Sequence, residues 1–257
     1  MLRKYINLFF KKILGDRFEE VRAYYWDLRY SNNSSQNLII YSQGRSGSTL
    51  LNNLLKSTGY FDSYNEILDH DKKQVAFPYR YINGYSKIAK NNFLFNLKIQ
   101  NLNSALRKGD TPNKFLSKLS QKGWKIIWLE RSSKLDQTLS NFLAEDSSQY
   151  HYTSGKKRKL RIKIDCNSFN KRIKRYENLR GQEIRSLHNI PYIYINYEKD
   201  LLLADRHQAT VNKILQHLSL PSKEVYSVYK KINTFEQEDI IINYPEFEEK
   251  VLNSLKV

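Results

Sequence analysis

The stretch NLIIYSQGRSGSTLLNNLL, Asn37 to Leu55, constrains the fold more than any other part of the chain. Four apolar residues, Leu38 to Tyr41, run into a turn holding Gly44 and Gly47, and an apolar helical spacing begins after Ser48 and Thr49. A buried strand that turns sharply into a helix aims the free N–H groups of the helix start at one point, where the helix dipole also favours negative charge. The two glycines let the backbone approach an anion closely. The hydroxyls of Ser46, Ser48 and Thr49 add donors, and Arg45 supplies a planar fork of donors suited to an oxyanion.

Two further runs, Lys125–Leu129 and Tyr192–Asn196, read as buried strands. Each is followed by polar or turn-forming residues and then by helical spacing. Short apolar strands alternating with helices predict βαβ units, hence an α/β domain with a central parallel β-sheet flanked by helices. Between the first two strands lies a long segment expected to be largely helical, with one more strand around Phe93–Ile99. TPNKFLSKLSQKG reads as a helix with Pro112 in its first turn and Gly123 closing it. Further helices are expected over Leu135–Ala144, Asn167–Arg185 and Thr210–Leu218, the last stopped by Pro221. With no internal repeat and no low-complexity linker, residues 36–257 read as one domain and residues 1–35 as an amphipathic helical segment packing on it.

Charge is the strongest compositional fact. The 257 residues hold 43 Lys and Arg against 26 Asp and Glu, a net charge of +17, which draws anionic partners such as nucleic acid, acidic lipid, anionic polysaccharide or a phosphorylated cofactor. An apolar fraction of 40% argues for a folded globule all the same. Cys166 is the only cysteine, which excludes an intrachain disulfide and a cysteine-rich zinc site. Near the N-terminus Leu2, Ile6, Phe9, Phe10, Ile13 and Leu14 share one helix face, interrupted by Lys11 and Lys12. That segment is too short and too charged to span a bilayer. Packing on its own domain is the favoured expectation, though a basic amphipathic helix also suits peripheral contact with a membrane surface. A cytoplasmic location is the default.

The nucleoside-triphosphate version of the glycine turn reads G-x-x-x-x-G-K-[ST], and its lysine reaches the terminal phosphates. Here only two residues separate Gly44 from Gly47, and Ser48 stands in the lysine's place. No clear acidic strand end offers a magnesium ligand either. GRSGSTLLNNLL instead resembles the 5′-phosphosulfate loop of sulfotransferases that use 3′-phosphoadenylyl sulfate (PAPS), where R-[ST]-G-[ST]-[ST]-L-L follows the first strand of a P-loop-like sheet. The resemblance implies a P-loop NTPase-like three-layer fold. It also implies PAPS as co-substrate, with no metal, held by Arg45, Ser46, Gly47, Ser48 and Thr49.

WKIIWLERSSKLDQTLSNFLA is similar to that family's 3′-phosphate site, an arginine just after a strand and a serine about two turns into the next helix. Arg131 and Ser140 hold those places, nine residues apart, as in bacterial members with an R-x-x-x-[LIV]-x-Q-[AS]-x-S pattern. An arginine fork and a hydroxyl suit a ribose 3′-phosphate through charge-assisted hydrogen bonds. YIYINYEKDLL resembles the family's Y-E-D-L segment, with Lys199 interrupting it. NFLFNLKIQNLNS resembles its G-F-K-[IL]-M-x-x-Q-L segment, with Asn96 for the glycine and Lys98 for the lysine. These fragments run from Leu38 to about Leu220.

Sulfuryl transfer needs a positive field at the leaving oxygen and a base for the acceptor proton. Ser48 and Arg45 serve the first. For the second, Glu66 in STGYFDSYNEILDH matches the place where several family branches carry a catalytic glutamate, and His70 lies one helical turn away. The resemblance favours Glu66; an imidazole titrating near neutrality keeps His70 open. The basic run GKKRKLRIK, from Gly155, reads as a loop whose Lys156 and Arg158 would contact phosphate. The leading expectation is therefore transfer from PAPS to a hydroxyl of a carbohydrate, glycolipid or small metabolite. A P-loop kinase relative and a basic nucleic-acid binder without enzymatic activity are the alternatives; no nucleic-acid signature appears in the chain, and nucleic acid is not the expected partner.

Overall fold

The computed structural model describes residues 15–30, 36–69, 75–147, 161–227 and 236–253. Its centre is a five-stranded sheet made of β1 (Leu38–Ser42), β2 (Phe61–Tyr64), β3 (Asn92–Lys98), β4 (Lys125–Glu130) and β5 (Ile193–Asn196). All pairings are parallel and the strand order is β2-β3-β1-β4-β5, which puts β1, the strand feeding the glycine turn, in the middle. The fold is α/β in three layers, as the alternation of strands and helices predicts.

Alternation along the strands explains the layers, since successive side chains point to opposite faces. Ile39, Tyr41, Phe93, Phe95, Ile126 and Trp128 face one way. They pack against α1 (Phe18–Arg29), α3 (Pro78–Ile88), α4 (Ile99–Ala105), α5 (Pro112–Gln121) and, following α6 (Lys134–Ser147), α7 (Cys166–Ser186). Leu38, Ile40, Leu94, Ile127, Leu129 and Ile195 face the other way, onto α2 (Ser48–Ser57) and α8 (His207–His217). A third apolar cluster joins Leu139 and Leu143 of α6 and Phe169 of α7 to Ile240, Phe247 and Val251 of the C-terminal segment.

Most expected elements appear where the pattern put them. Helix α5 starts with Pro112 in its first turn, is capped by the Thr111 hydroxyl and is followed by Gly123 at a positive φ of 86°. The strand expected around Phe93–Ile99 is β3, but the expectation of a largely helical stretch between the first two recognised strands needs correcting at β2, which also lies there. β2, with sequence FDSY, is an edge strand with one buried and three half-buried residues, so it lacks the apolar run that marks a central strand. Helix α1 packs on α3 so closely that a Cβ at Gly84 would lie 1.9 Å from the Ala23 carbonyl oxygen. The apolar stripe from Leu2 to Leu14 lies outside the described residues. Among the described residues no helix is long and apolar enough to cross a membrane.

Candidate active site

The turn between β1 and α2 takes its shape from two left-handed residues, Arg45 at φ 63° and Gly47 at φ 92°. Gly47 also allows a close approach, because a Cβ there would lie 2.6 Å from the Tyr197 ring. Helix α2 begins at Ser48 with no side-chain cap, so its first amides point out of the turn without intrahelical acceptors. Ser46 turns back and donates to the Gln43 carbonyl at 2.8 Å, bracing the turn. Ser48 is buried in the first helical position and Thr49 is half-buried beside it.

Arg45 spans from the turn to α6, where its Nε and one terminal nitrogen meet the Ser140 hydroxyl at 3.1 and 2.9 Å. Arg131, in the segment between β4 and α6, donates to the Arg45 carbonyl at 3.0 Å and lies over the Tyr197 ring at 4.8 Å. Residues 86 and 95 positions apart in the chain are thus within one hydrogen bond of each other. Glu198 accepts the Ser132 and Ser133 amides at 2.9 and 3.1 Å, which holds the start of α6 in place. Tyr197 and Glu198 belong to the YEKDL turn, a π-helical turn closed by Leu202 N–H to Tyr197 carbonyl at 2.8 Å. Its wide ring takes up Lys199, the residue that interrupts the Y-E-D-L resemblance.

Behind the turn sits a buried polar network that sequence reasoning missed. Gln137 of α6 donates to the Gly44 carbonyl at 2.7 Å and to Gln43 Oε1 at 3.3 Å. Gln43 in turn donates to Glu183 of α7 at 3.0 Å and to the Tyr176 carbonyl at 3.2 Å. Burial pushes the Glu183 carboxyl up to about 7, against the Gln43 and Trp128 hydrogen bonds that favour its charge. Gln137 is part of the R-x-x-x-[LIV]-x-Q pattern and was open to notice; nothing local marks Gln43 or Glu183.

β4 runs one residue beyond the expected strand and ends in an acid, Glu130, which corrects the expectation that no acidic strand end exists. That carboxylate is already engaged, since Arg180 pairs with it and the Tyr194 hydroxyl donates to it at 2.6 Å. Burial pushes the Glu130 carboxyl up, but the Tyr194 and Arg180 hydrogen bonds outweigh it and hold it below the ordinary range. Among the described residues no group of three or more acid, histidine or cysteine side chains is placed to hold a metal ion.

On the other side of the turn, β3 ends in Lys98. Its ammonium lies 2.7 Å from a Glu66 carboxylate oxygen, and a Cβ at Gly44 would lie 4.0 Å from it. Asn101 of α4 donates to the second Glu66 oxygen at 3.3 Å. Beneath them the Asn52 amide donates to buried Asn96, the residue standing for a glycine in the resembling segment. So Arg45, Ser46, Gly47, Ser48, Thr49, Arg131 and Ser140 surround one turn, and Glu66 joins them through Lys98. His70, Lys156 and Arg158 lie outside the described residues.

Among the described residues, the buried polar atoms near this turn without a hydrogen-bond partner are Ser42 Oγ, Gln100 Oε1, Thr138 Oγ1, Glu183 Oε1 and Arg131 Nε, the last lying 3.9 Å from a Glu198 carboxylate oxygen. A buried unsatisfied group costs about 1–3 kcal/mol. The uncapped amides of α2 with the Arg45 and Arg131 guanidinium groups beside them fit a phosphate- or sulfate-bearing ligand.

No family model matches the chain, and no curated protein matches it. Among solved structures, a sulfotransferase from Alicyclobacillus acidocaldarius is similar at 12% sequence identity and a TM-score of 0.48, over 87% of this chain and 96% of that one.

Proposed function

We propose that the protein is a PAPS-dependent sulfotransferase that moves a sulfuryl group to a hydroxyl, most simply that of a carbohydrate or glycolipid. The observation that carries the reading is the meeting of Arg45, Arg131 and Ser140. The resemblance assigns these residues to opposite ends of one nucleotide, and the fold draws them to one turn. PAPS supplies an activated sulfuryl group with a nucleoside phosphate as leaving group.

The chain's own groups then divide the work. The α2 amides, Ser48 and Arg45 hold the 5′-phosphosulfate and stabilise charge on the bridging oxygen as the S–O bond breaks. Arg131 and Ser140 hold the 3′-phosphate. Glu66 takes the acceptor's hydroxyl proton as that oxygen bonds to sulfur, and 3′,5′-ADP leaves. Lys98 keeps Glu66 beside the turn and adds a second positive charge there.

Lys98 also bears on the kinase alternative, because it brings a lysine to the turn from another strand. Glu130, committed to Arg180 and Tyr194, weighs against magnesium–ATP chemistry. Thermal-shift titration with 3′,5′-ADP, ATP with magnesium, and a single-stranded oligonucleotide separates the readings, since a ligand specific to the native state raises the melting temperature. Stabilisation by 3′,5′-ADP alone is expected. Stabilisation by ATP with magnesium and not by 3′,5′-ADP rejects the sulfotransferase reading.

A further inference from the structure

Away from the glycine turn, a cleft of about 370 Å³ opens between the start of α3, the end of α4 and the outer side of α5. Three cations line it: Arg80, Arg107 and Lys118. Two are held on aromatic faces, the Arg107 guanidinium 4.1 Å from the Phe77 ring centre and the Lys118 ammonium 4.0 Å from that of Tyr79. Arg107 is fixed further by its Nε, which donates to the Ala76 carbonyl at 3.1 Å. Its terminal nitrogens have no partner among the described residues, so the fork is oriented before any ligand arrives.

The acids lining the cleft do not cancel this charge. Asp27 is paired with Lys87 at 3.2 Å, which leaves exposed Asp110 against three cations. None of the three forms an ion pair among the described residues. A surface charge run is ordinarily solvated and directionless. These cations are gathered in a concavity, two of them anchored on rings, and Phe77 stays 46% exposed at its edge. Fixed cations beside an open apolar ring suit an acid group carried on a sugar ring.

The cleft is also placed for an extended acceptor. Helix α4 starts beside the turn, where Asn101 contacts Glu66, and ends at the cleft with Leu106 and Arg107. At 1.5 Å per residue, Glu66 and the cleft are on the order of 10 Å apart. Resting on the sulfotransferase reading, we infer that the cleft is an acceptor subsite for an acidic oligosaccharide, binding a carboxylate or sulfate a few sugar units from the reacting hydroxyl.

Isothermal titration with tetragalacturonate, neutral maltotetraose and hexaglutamate tests this on the full chain, wild type against Lys118→Gln and the double variant Arg107→Gln/Lys118→Gln. Each variant is also titrated with 3′,5′-ADP. Tetragalacturonate should bind wild type, about tenfold less tightly to Lys118→Gln, the loss expected for one charge-assisted contact. Maltotetraose should not bind, and 3′,5′-ADP affinity should stay unchanged in both variants. Lys118 is exposed, so its single variant reports on the cleft even where the double variant folds poorly. The subsite is rejected if tetragalacturonate fails to bind, binds the Lys118 variant equally well, or is matched by hexaglutamate. Loss of 3′,5′-ADP binding in wild type itself, with cleft-dependent tetragalacturonate binding retained, overturns the sulfotransferase reading and leaves the cleft as an acidic-glycan site.

Discussion

The Lys98 ammonium lies 2.7 Å from a Glu66 carboxylate oxygen and beside Gly44, so one cation ties the candidate base to the glycine turn. Glu66→Gln should lower kcat for sulfuryl transfer by about 10²–10⁴, the usual contribution of a positioned base, while the 3′,5′-ADP thermal shift stays as in wild type. Steady-state kinetics with labelled PAPS and an active acceptor measure this. An unchanged kcat assigns the proton transfer elsewhere, and His70→Ala should then carry the loss.

Ser140 accepts two donors from Arg45 in the structure and would donate to the 3′-phosphate. Ser140→Ala should weaken 3′,5′-ADP binding about tenfold, the value of a hydrogen bond to a charged partner. Arg131→Ala should cost more, because it removes both a phosphate contact and the brace on the Arg45 carbonyl. Calorimetric titration gives both values. Equal, unaltered affinities would detach these residues from the nucleotide.

Gly47 combines a positive φ with an approach to Tyr197 that no side chain tolerates. Gly47→Ala should destabilise the fold by about 2 kcal/mol or more, from left-handed strain together with displacement of the buried ring. It should also abolish 3′,5′-ADP binding. Urea unfolding and the thermal shift read the two effects separately.

Gly84 is the contact point between α1 and α3. A methyl group there meets backbone rather than a flexible side chain, so Gly84→Ala should push α1 off α3 and lower stability by about 1–3 kcal/mol, the range for overpacking. Gly59, with open space where its Cβ would lie, supplies the contrast. Gly59→Ala, at φ 75°, carries conformational strain alone and should leave the α1–α3 contact intact. Amide exchange across residues 18–29 tells the two variants apart.

Glu183 gives the protein a pH signature. Its carboxyl is raised to about 7 by burial, so between the ordinary carboxylate pKa and 7 the folded state holds a proton that the unfolded state has released. Stability from this group is therefore present below about pH 4.5, declines as pH rises toward 7 and is level above it, a loss on the order of 3 kcal/mol. Glu183→Gln keeps an acceptor for Gln43 and should flatten that slope. Urea midpoints between pH 5 and 8 for both proteins measure it; parallel curves would show that Glu183 does not titrate in this range.

The elements legible in the sequence were those that a local pattern writes. Leu38–Tyr41 and Lys125–Leu129 are unbroken apolar runs, and Gly44 and Gly47 mark the turn. Pro112 and Gly123 bracket a helix because each permits a backbone shape that other residues resist. β2 escaped notice because FDSY pairs on one side only and therefore carries no apolar run. Glu130 was overlooked as a strand end for a related reason, since its partners Arg180 and Tyr194 lie 50 and 64 positions away.

By itself the sequence determined the strand, the glycine turn and the helix after it, because side-chain period and backbone freedom act over a few residues. Arg131 and Ser140 could be named from spacing, yet nothing in the spacing says that they touch Arg45. The strand order decided that. Placing β1 between β3 and β4 brings Lys98 to one side of the turn and Arg131 to the other. It also lets Gln137 and Glu183 close the turn from behind, through hydrogen bonds between residues more than ninety positions apart. Such contacts form only once the sheet's hydrophobic faces are buried, and so they belong to the tertiary structure alone.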